Sequence, residues 1–371
     1  MLKIIFTLII LFSVITPVGA EESLNFRDLL SGSDNDGFER AIEKRQFSFP
    51  KDHGPHPTFK TEWWYFTGNV EDKKGRKFGY ELSLFRFAIE SEPVKRTSKW
   101  VTNNVYMGHF ALTDVEQGNF YNFERFARDG AALAGAQPEP FRVWVEDWSV
   151  ESARGEGQPW RLRAEREGIA VNLLLTPEKG IVLQGNEGLS QKSEESGNAS
   201  YYYSIPRLAT TGTIAVKKKS FEVNGRSWLD REWSTSALSN DQSGWDWFAL
   251  QLSNGYDIMF YQLRLKEGGV DPFSAGKLIA PDGSTIPLSP EDVEIKVLEK
   301  WESPLGGSYP IKWNLNLKKE GLLLVVEPLI RNQELNLSIR YWEGAVKVTG
   351  KQRGMPLSGK GYVELTGYTG D

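Results

Sequence analysis

The chain has 371 residues, no cysteine, and a formal charge of −5 from 44 basic and 49 acidic side chains. The lack of cysteine excludes a disulfide scaffold, so the fold must hold by burial. The interspersed charges with a net acidic excess exclude nucleic acid as a partner, because phosphate binding needs a basic field.

The first twenty residues carry Lys3, an apolar run from Ile4 to Val18 and the small-residue ending Val18-Gly19-Ala20. That pattern is a secretory signal peptide with cleavage after Ala20, and it places the protein in a secreted or periplasmic compartment. The run is shorter than the ~20 residues a membrane helix needs, and no later segment qualifies, so the mature chain has no integral membrane segment. Residues 21–49 are polar with one short amphipathic turn around Phe38 to Ile42, and read as a lead segment. The remaining length fits two domains.

From Thr61 onward, short alternating runs rich in Trp, Tyr and Phe are separated by turn sequences such as Asp72-Lys73-Lys74-Gly75, Ser253-Asn254-Gly255 and Pro281-Asp282-Gly283. These are β-strands joined by tight turns. Helical periodicity is nearly absent. Trp148, Trp160 and Gly168 recur as Trp301, Trp313 and Gly321, each displaced by 153 positions, the mark of an internal repeat. The opening hairpins also match, Glu62-Trp63-Trp64-Tyr65-Phe66 against Trp245-Asp246-Trp247-Phe248. So do the closing strands, Ser227-Trp228-Leu229-Asp230 against Gly361-Tyr362-Val363-Glu364. The expected fold is therefore all-β: two tandem antiparallel β-barrel domains, 50–238 and 239–371. Closure is expected because it removes exposed strand edges, although alternation alone also fits a two-sheet sandwich.

The stretches His53-Gly54-Pro55-His56-Pro57 and Thr61-Glu62-Trp63-Trp64-Tyr65-Phe66-Thr67-Gly68 resemble the opening signature of the AttH and carotenoid hydratase family. Asn198 to Ser204, Asp230-Arg231-Glu232-Trp233-Ser234 and Gly244-Trp245-Asp246-Trp247-Phe248 are similar to its later signatures. The resemblance spans roughly 50 to 265 and implies two lipocalin-like, calycin-type barrels. Its nearest branch is the secreted one, described as hydrolases and accompanying ABC-type transporters. In the hydratase branch, water is added to an isolated carbon–carbon double bond without a cofactor, and the closing strand of the first domain carries an Asp-His-x-Trp-like pattern. Here Arg231 stands at the histidine position, and a guanidinium keeps its proton at neutral pH.

Three sets of residues carry candidate chemistry. The acidic and aromatic clusters are Glu62-Trp63-Trp64-Tyr65, Asp230-Arg231-Glu232-Trp233 and Trp245-Asp246-Trp247, joined by Tyr202 and Tyr261. A carboxylic acid in an apolar pocket gains proton affinity and can donate to a substrate, and aromatic faces would stabilise a resulting cation. Candidate catalytic residues are Asp230, Glu232, Arg231 and the strand histidine His109. The candidate ligand-binding residues are Glu62, Trp63, Trp64, Tyr202, Trp233, Trp245, Asp246, Trp247 and Tyr261. Neighbouring strand residues face opposite ways, so only one of Arg231 and Glu232 can enter a given cavity. An ion-pair network bracing a barrel end accounts for the same charges equally well.

His53 and His56 beside Asp52 or Glu62 have metal-ligand chemistry, yet they sit in a Gly- and Pro-rich loop, and no metal or cofactor is expected. No Gly-x-Ser-x-Gly elbow occurs in a strand-to-helix setting. Three functions remain open: a cofactor-free hydratase or hydrolase acting on a lipophilic molecule, a periplasmic carrier or chaperone passing such a molecule to an ABC-type transporter, and a structural interaction module.

Overall fold

The structure, a computed structural model, describes residues 37–92, 102–153, 158–236 and 238–369. The expected signal peptide and the first part of the expected lead segment lie outside the described residues. The first sheet comprises β1 (Thr61–Asp72), β2 (Lys77–Ala88), β3 (Asn104–Asp114), β4 (Asn119–Arg128), β5 (Ala134–Pro138), β6 (Phe141–Val145), β7 (Trp148–Ser152), β8 (Trp160–Arg166), β9 (Ile169–Pro177), β10 (Val182–Leu183), β11 (Leu189–Gln191), β12 (Ala199–Val216) and β13 (Lys219–Ser236). The second comprises β14 (Gln242–Leu252), β15 (Asp257–Leu265), β16 (Ala275–Ile279), β17 (Thr285–Leu288), β18 (Glu294–Glu302), β19 (Ser308–Leu317), β20 (Leu322–Pro328), β21 (Glu334–Asn336), β22 (Arg340–Gln352) and β23 (Met355–Leu365). Helix among the described residues is confined to three one-turn 3-10 segments.

All pairings are antiparallel, and the two sheets have the same order. In the first it runs β4-β3-β2-β1-β13-β12-β9-β8-β7, then β6-β5; in the second it runs β17-β16-β15-β14-β23-β22-β20-β19-β18. Nine strands thus correspond one to one, which is the internal repeat written in topology. Gly168 and Gly321 turn equivalent hairpins with φ of 77° and 64°, a left-handed conformation that costs glycine little. Trp160 and Trp313 are both fully buried on the corresponding strands β8 and β19, Trp160 opposite Leu175 and Trp313 opposite Val326. The third match fails. Ser149 lies opposite Arg163, whereas Asn316, 153 positions beyond Arg163, lies opposite Glu294 and not opposite Glu302. Trp148 therefore corresponds to Val293, whereas Trp301 lies at the far end of its strand opposite Tyr309. The duplication stands on strand order, not on that tryptophan.

Each sheet rolls around its own core, as a barrel does. Trp64 and Phe66 of β1, Leu82 and Leu84 of β2, Trp148, Trp160, Leu173, Leu229 and Trp233 belong to one buried cluster. Phe248, Phe260, Trp313, Leu324, Val346 and Val363 form its counterpart. Burying a side chain of this size contributes roughly 1.5–3 kcal/mol, so both barrel interiors are filled rather than hollow. Phe47, Phe49 and Phe59 of the preceding loop pack onto the first core and stopper it.

Strand alternation turns the other faces toward the partner barrel. Tyr65, Tyr202 and Trp228 meet Trp247, Ala249, Met259 and Tyr362 in a third buried cluster. Close approach needs glycine at one point, because a Cβ on Gly79 would lie 2.3 Å from the Ala345 Cβ. Pro206, which cannot donate to a ladder, falls in a bulge between Ile205 and Leu208. Beside it, Arg207 reaches across to Asp257 at 2.8 Å.

Candidate active site

The cleft lies between the barrels, on the outer faces of β1, β13 and β12 in the first and β14, β23 and β22 in the second. It encloses about 780 Å³ including its open mouth. Register makes it a pseudo-two-fold site. Tyr65 lies opposite Asp230, and Trp247 lies opposite Glu364. Trp63 lies opposite Phe85, and Trp245 opposite Leu263. By the same pairing Tyr202 of β12 corresponds to Tyr341 of β22. The lining is therefore five matched pairs, Trp63/Trp245, Tyr65/Trp247, Phe85/Leu263, Tyr202/Tyr341 and Asp230/Glu364, completed by Lys192, Glu232, Leu238 and Tyr261.

The acids in this lining are unusual because few cations face them. Asp230 accepts from Ser204 Oγ and Tyr202 OH at 2.5 Å each and from Trp228 Nε1 at 2.7 Å. Burial nonetheless pushes its carboxyl up to about 7, the three hydrogen bonds only moderating the rise. Glu364 accepts from Trp245 Nε1 at 2.9 Å. Burial, together with the negative charges of Asp230 and Glu232, lifts it to about 8. Behind them Glu343 and Glu81 are fully buried, and burial and mutual repulsion hold both well above the carboxylate range; Tyr65 OH donates to Glu343. The cleft's cation is Lys192, with Nζ 3.3 Å from Glu232 Oε1 and 3.9 Å from the Tyr261 ring centroid. Burial works against its charge, but Glu232 and Tyr261 outweigh that and raise it.

A family model described as AttH-like matches residues 40–368. The chain belongs to the AttH-like family. Among solved structures, an AttH assigned in Nitrosomonas europaea is 31% identical, with 90% of this chain and 100% of that one covered at a TM-score of 0.79. Kievitone hydratase from Nectria haematococca is 16% identical, covering 90% and 98% at a TM-score of 0.67. CghA is 13% identical, covering 92% and 98% at 0.56. The latter two show a shared fold. No curated protein matches the chain. No helix among the described residues is long and apolar enough to cross a membrane.

In this AttH-like chain the structure brings Asp230, Glu232, Trp63, Tyr202, Trp245, Trp247 and Tyr261 together in the cleft. It sends their strand neighbours elsewhere. Glu62, Trp64, Arg231 and Trp233 point into the first barrel, where Glu62 pairs with both Arg86 and Arg231. The Arg231 guanidinium lies 3.9 Å over the Trp64 ring, and Trp233 stacks on His56 with centroids 3.7 Å apart. Burial alone would raise the Glu62 carboxyl, but Arg86 and Arg231 hold it well below the usual range. Asp246 occupies the position equivalent to Trp64 and faces the second barrel's interior, bonded to Arg264 and to Tyr368 OH at 2.9 Å. These five residues do not line the cleft. His109 stands one layer behind it, with Nδ1 2.7 Å from Tyr341 OH.

His53 and His56 bond side chains rather than only backbone. His53 Nδ1 meets Tyr203 OH at 2.6 Å. His56 has Asp52 at 3.1 Å on Nε2 and Glu62 at 3.3 Å on Nδ1, which occupies both ligand atoms of the ring. No three His, Cys, Asp or Glu side chains among the described residues are arranged to hold a metal.

The cleft residues that the sequence did not single out are Phe85, Lys192, Leu238, Leu263, Tyr341 and Glu364. One of these carried a usable signal: the repeat aligns Glu364 with Asp230, so one copy's site residue points to the other's. Lys192 comes from an irregular segment between β11 and β12, and nothing local marks it.

Proposed function

We propose that the protein is a cofactor-independent hydro-lyase of the hydratase type, acting on a lipophilic alkene bound between the two barrels. One observation carries the reading: two carboxyl groups, Asp230 and Glu364, face an aromatic-walled cleft from equivalent positions, and both keep a proton near neutral pH. A neutral carboxylic acid can protonate a double bond, and the faces of Trp63, Trp245 and Trp247 favour the cation that results. Either acid can donate, and the other, once ionised, steadies the developing charge. Hydration is favoured over ester hydrolysis because the residues lining the cleft include no serine, threonine or cysteine nucleophile. The fold shared with a kievitone hydratase is consistent with this choice.

The mostly apolar cleft with a few polar groups also fits a non-catalytic carrier. That second reading would pair an exported protein with an ABC-type transporter, the transporter being what the resemblance to the secreted branch implies. The test is turnover of terpenoid alkenes and hydrophobic esters by purified protein, with native mass spectrometry of protein taken directly from cells. Hydration that Glu364→Gln and Asp230→Asn each lower by about 10²–10⁴-fold supports the enzyme. Co-purified lipid without turnover, or full activity in both variants, would sink it.

A further inference from the structure

We propose that Glu124, His109 and Tyr341 form a carboxylate–imidazole–phenol relay that removes the proton from the water added in the cleft. The proposal rests on the hydratase reading and supplies the base which that reading lacks. Tyr341 lines the cleft from the second barrel. Its hydroxyl lies 2.7 Å from His109 Nδ1, and His109 Nε2 lies 3.0 Å from Glu124 Oε1. His109 and Glu124 are directly opposed on β3 and β4 of the first barrel, so sheet register fixes their contact and the docking of the barrels adds the phenol. His109 is fully buried, whereas the Glu124 side chain is 16% exposed. The chain of groups thus runs from cleft to solvent.

The proton positions follow from charge. Burial works to raise Glu124, but hydrogen bonds from His109 and Ser338 overcome it and hold the carboxyl below its ordinary value. An ionised Glu124 accepts, so Nε2 carries the ring proton and Nδ1 is left to accept from the Tyr341 O–H. This is the arrangement by which a carboxylate orients an imidazole toward a hydroxyl. Burial, the charges of Glu81 and Glu343 and a hydrogen bond with Glu343 hold the proton on the Tyr341 phenol, so Tyr341 releases it only as another arrives. In the step itself, the water oxygen bonds to the cationic carbon and one water proton moves to Tyr341 Oη. The Tyr341 proton moves to His109 Nδ1, and Glu124 balances the imidazolium. The product hydroxyl keeps the water's other hydrogen; one proton leaves to solvent at the Glu124 end, and one from solvent restores the acid that protonated the alkene.

The two barrels supply an internal contrast. Tyr202, the counterpart of Tyr341, donates to Asp230 and has no histidine. A pure strut between the barrels would need no such asymmetry in hydrogen-bond chemistry.

The chain has three histidines, so full-length protein labelled with nitrogen-15 at histidine shows three imidazoles, and His109→Gln identifies one. The expected result is a neutral His109 protonated at Nε2, whose bare Nδ1 signal moves in Tyr341→Phe while those of His53 and His56 stay. A proton on Nδ1 overturns the relay whatever the protein turns over. On a substrate that the wild type hydrates, Tyr341→Phe and His109→Gln should each lower kcat by about 10²–10⁴-fold with KM little changed. Glu124→Gln, at the solvent end, should lower it less, and added imidazole should restore part of the activity of His109→Gly. Losses that fall on KM instead of kcat, without rescue, identify a strut and overturn the proposal. Lack of turnover by the wild type sinks the hydratase reading, and the nitrogen spectra then decide the relay alone.

Discussion

Asp230 and Arg231 are chain neighbours, equally buried, and belong to two opposite electrostatic settings. Arg231 points into the first barrel, where burial of the carboxyls is outweighed, for Glu62 by Arg86 and Arg231 and for Asp52 by hydrogen bonds from His56 and the Ser48 N–H with Arg45 beside them, so both are pulled down. Asp230 points into the seam, where Asp230 and Glu364 share the cleft with Lys192, itself paired to Glu232, while Glu343 and Glu81 lie behind them, and burial wins. The lesson is that burial alone does not decide what a carboxyl does. The count of compensating cations within the same dry volume does. The balanced cluster braces a barrel end and fixes the loop that stoppers it; the unbalanced one stores protons beside a cavity.

Breaking the balanced side should have the largest effect. Arg231→Met leaves Glu62 short of a partner in a fully buried site, and the expected loss is about 3–5 kcal/mol in urea unfolding. A loss under about 1 kcal/mol would show that Arg86 alone holds the barrel end.

The two regions should also respond to pH with opposite sign. As pH rises from about 4 to about 7, the unfolded chain gives up the Asp230 proton while the folded chain keeps it. The folded state then binds more protons and loses stability across that window, by an amount on the order of a few kcal/mol. Glu364 acts in the same direction up to about 8. Glu62 works the other way: its contribution is complete above the ordinary carboxylate range and is lost as acid reaches its depressed folded value. Thermal unfolding followed from pH 5 to 8.5 should therefore show a falling midpoint, and Asp230→Asn should flatten the slope. An unchanged slope in that variant would remove Asp230 from the account.

The smallest effect concerns the seam's geometry. Gly79→Ala places a methyl group against Ala345, and the strain of overpacking there is about 1–3 kcal/mol. Because the barrels must part slightly, ligand affinity should fall while the barrel cores stay intact. Fluorescence of the cleft tryptophans with a bound apolar probe reads the first, and circular dichroism the second.

Sequence by itself determined that the chain is all-β and duplicated, because period-two alternation, turn residues and the repeated Trp160 and Trp313 hairpins are local properties that survive without knowing what packs where. It also determined that Arg231 and Glu232 part company, since the pleat sends successive side chains to opposite faces. Only the tertiary structure decided which face is which. Trp64 and Trp63 look alike in the sequence, yet one fills a barrel and the other lines the cleft. The choice depends on how the sheet curls and on where the second barrel docks. Lys192, Tyr341 and Glu364 reach the site from segments scattered along the chain, and their company exists only once two separately folded barrels press their outer faces together.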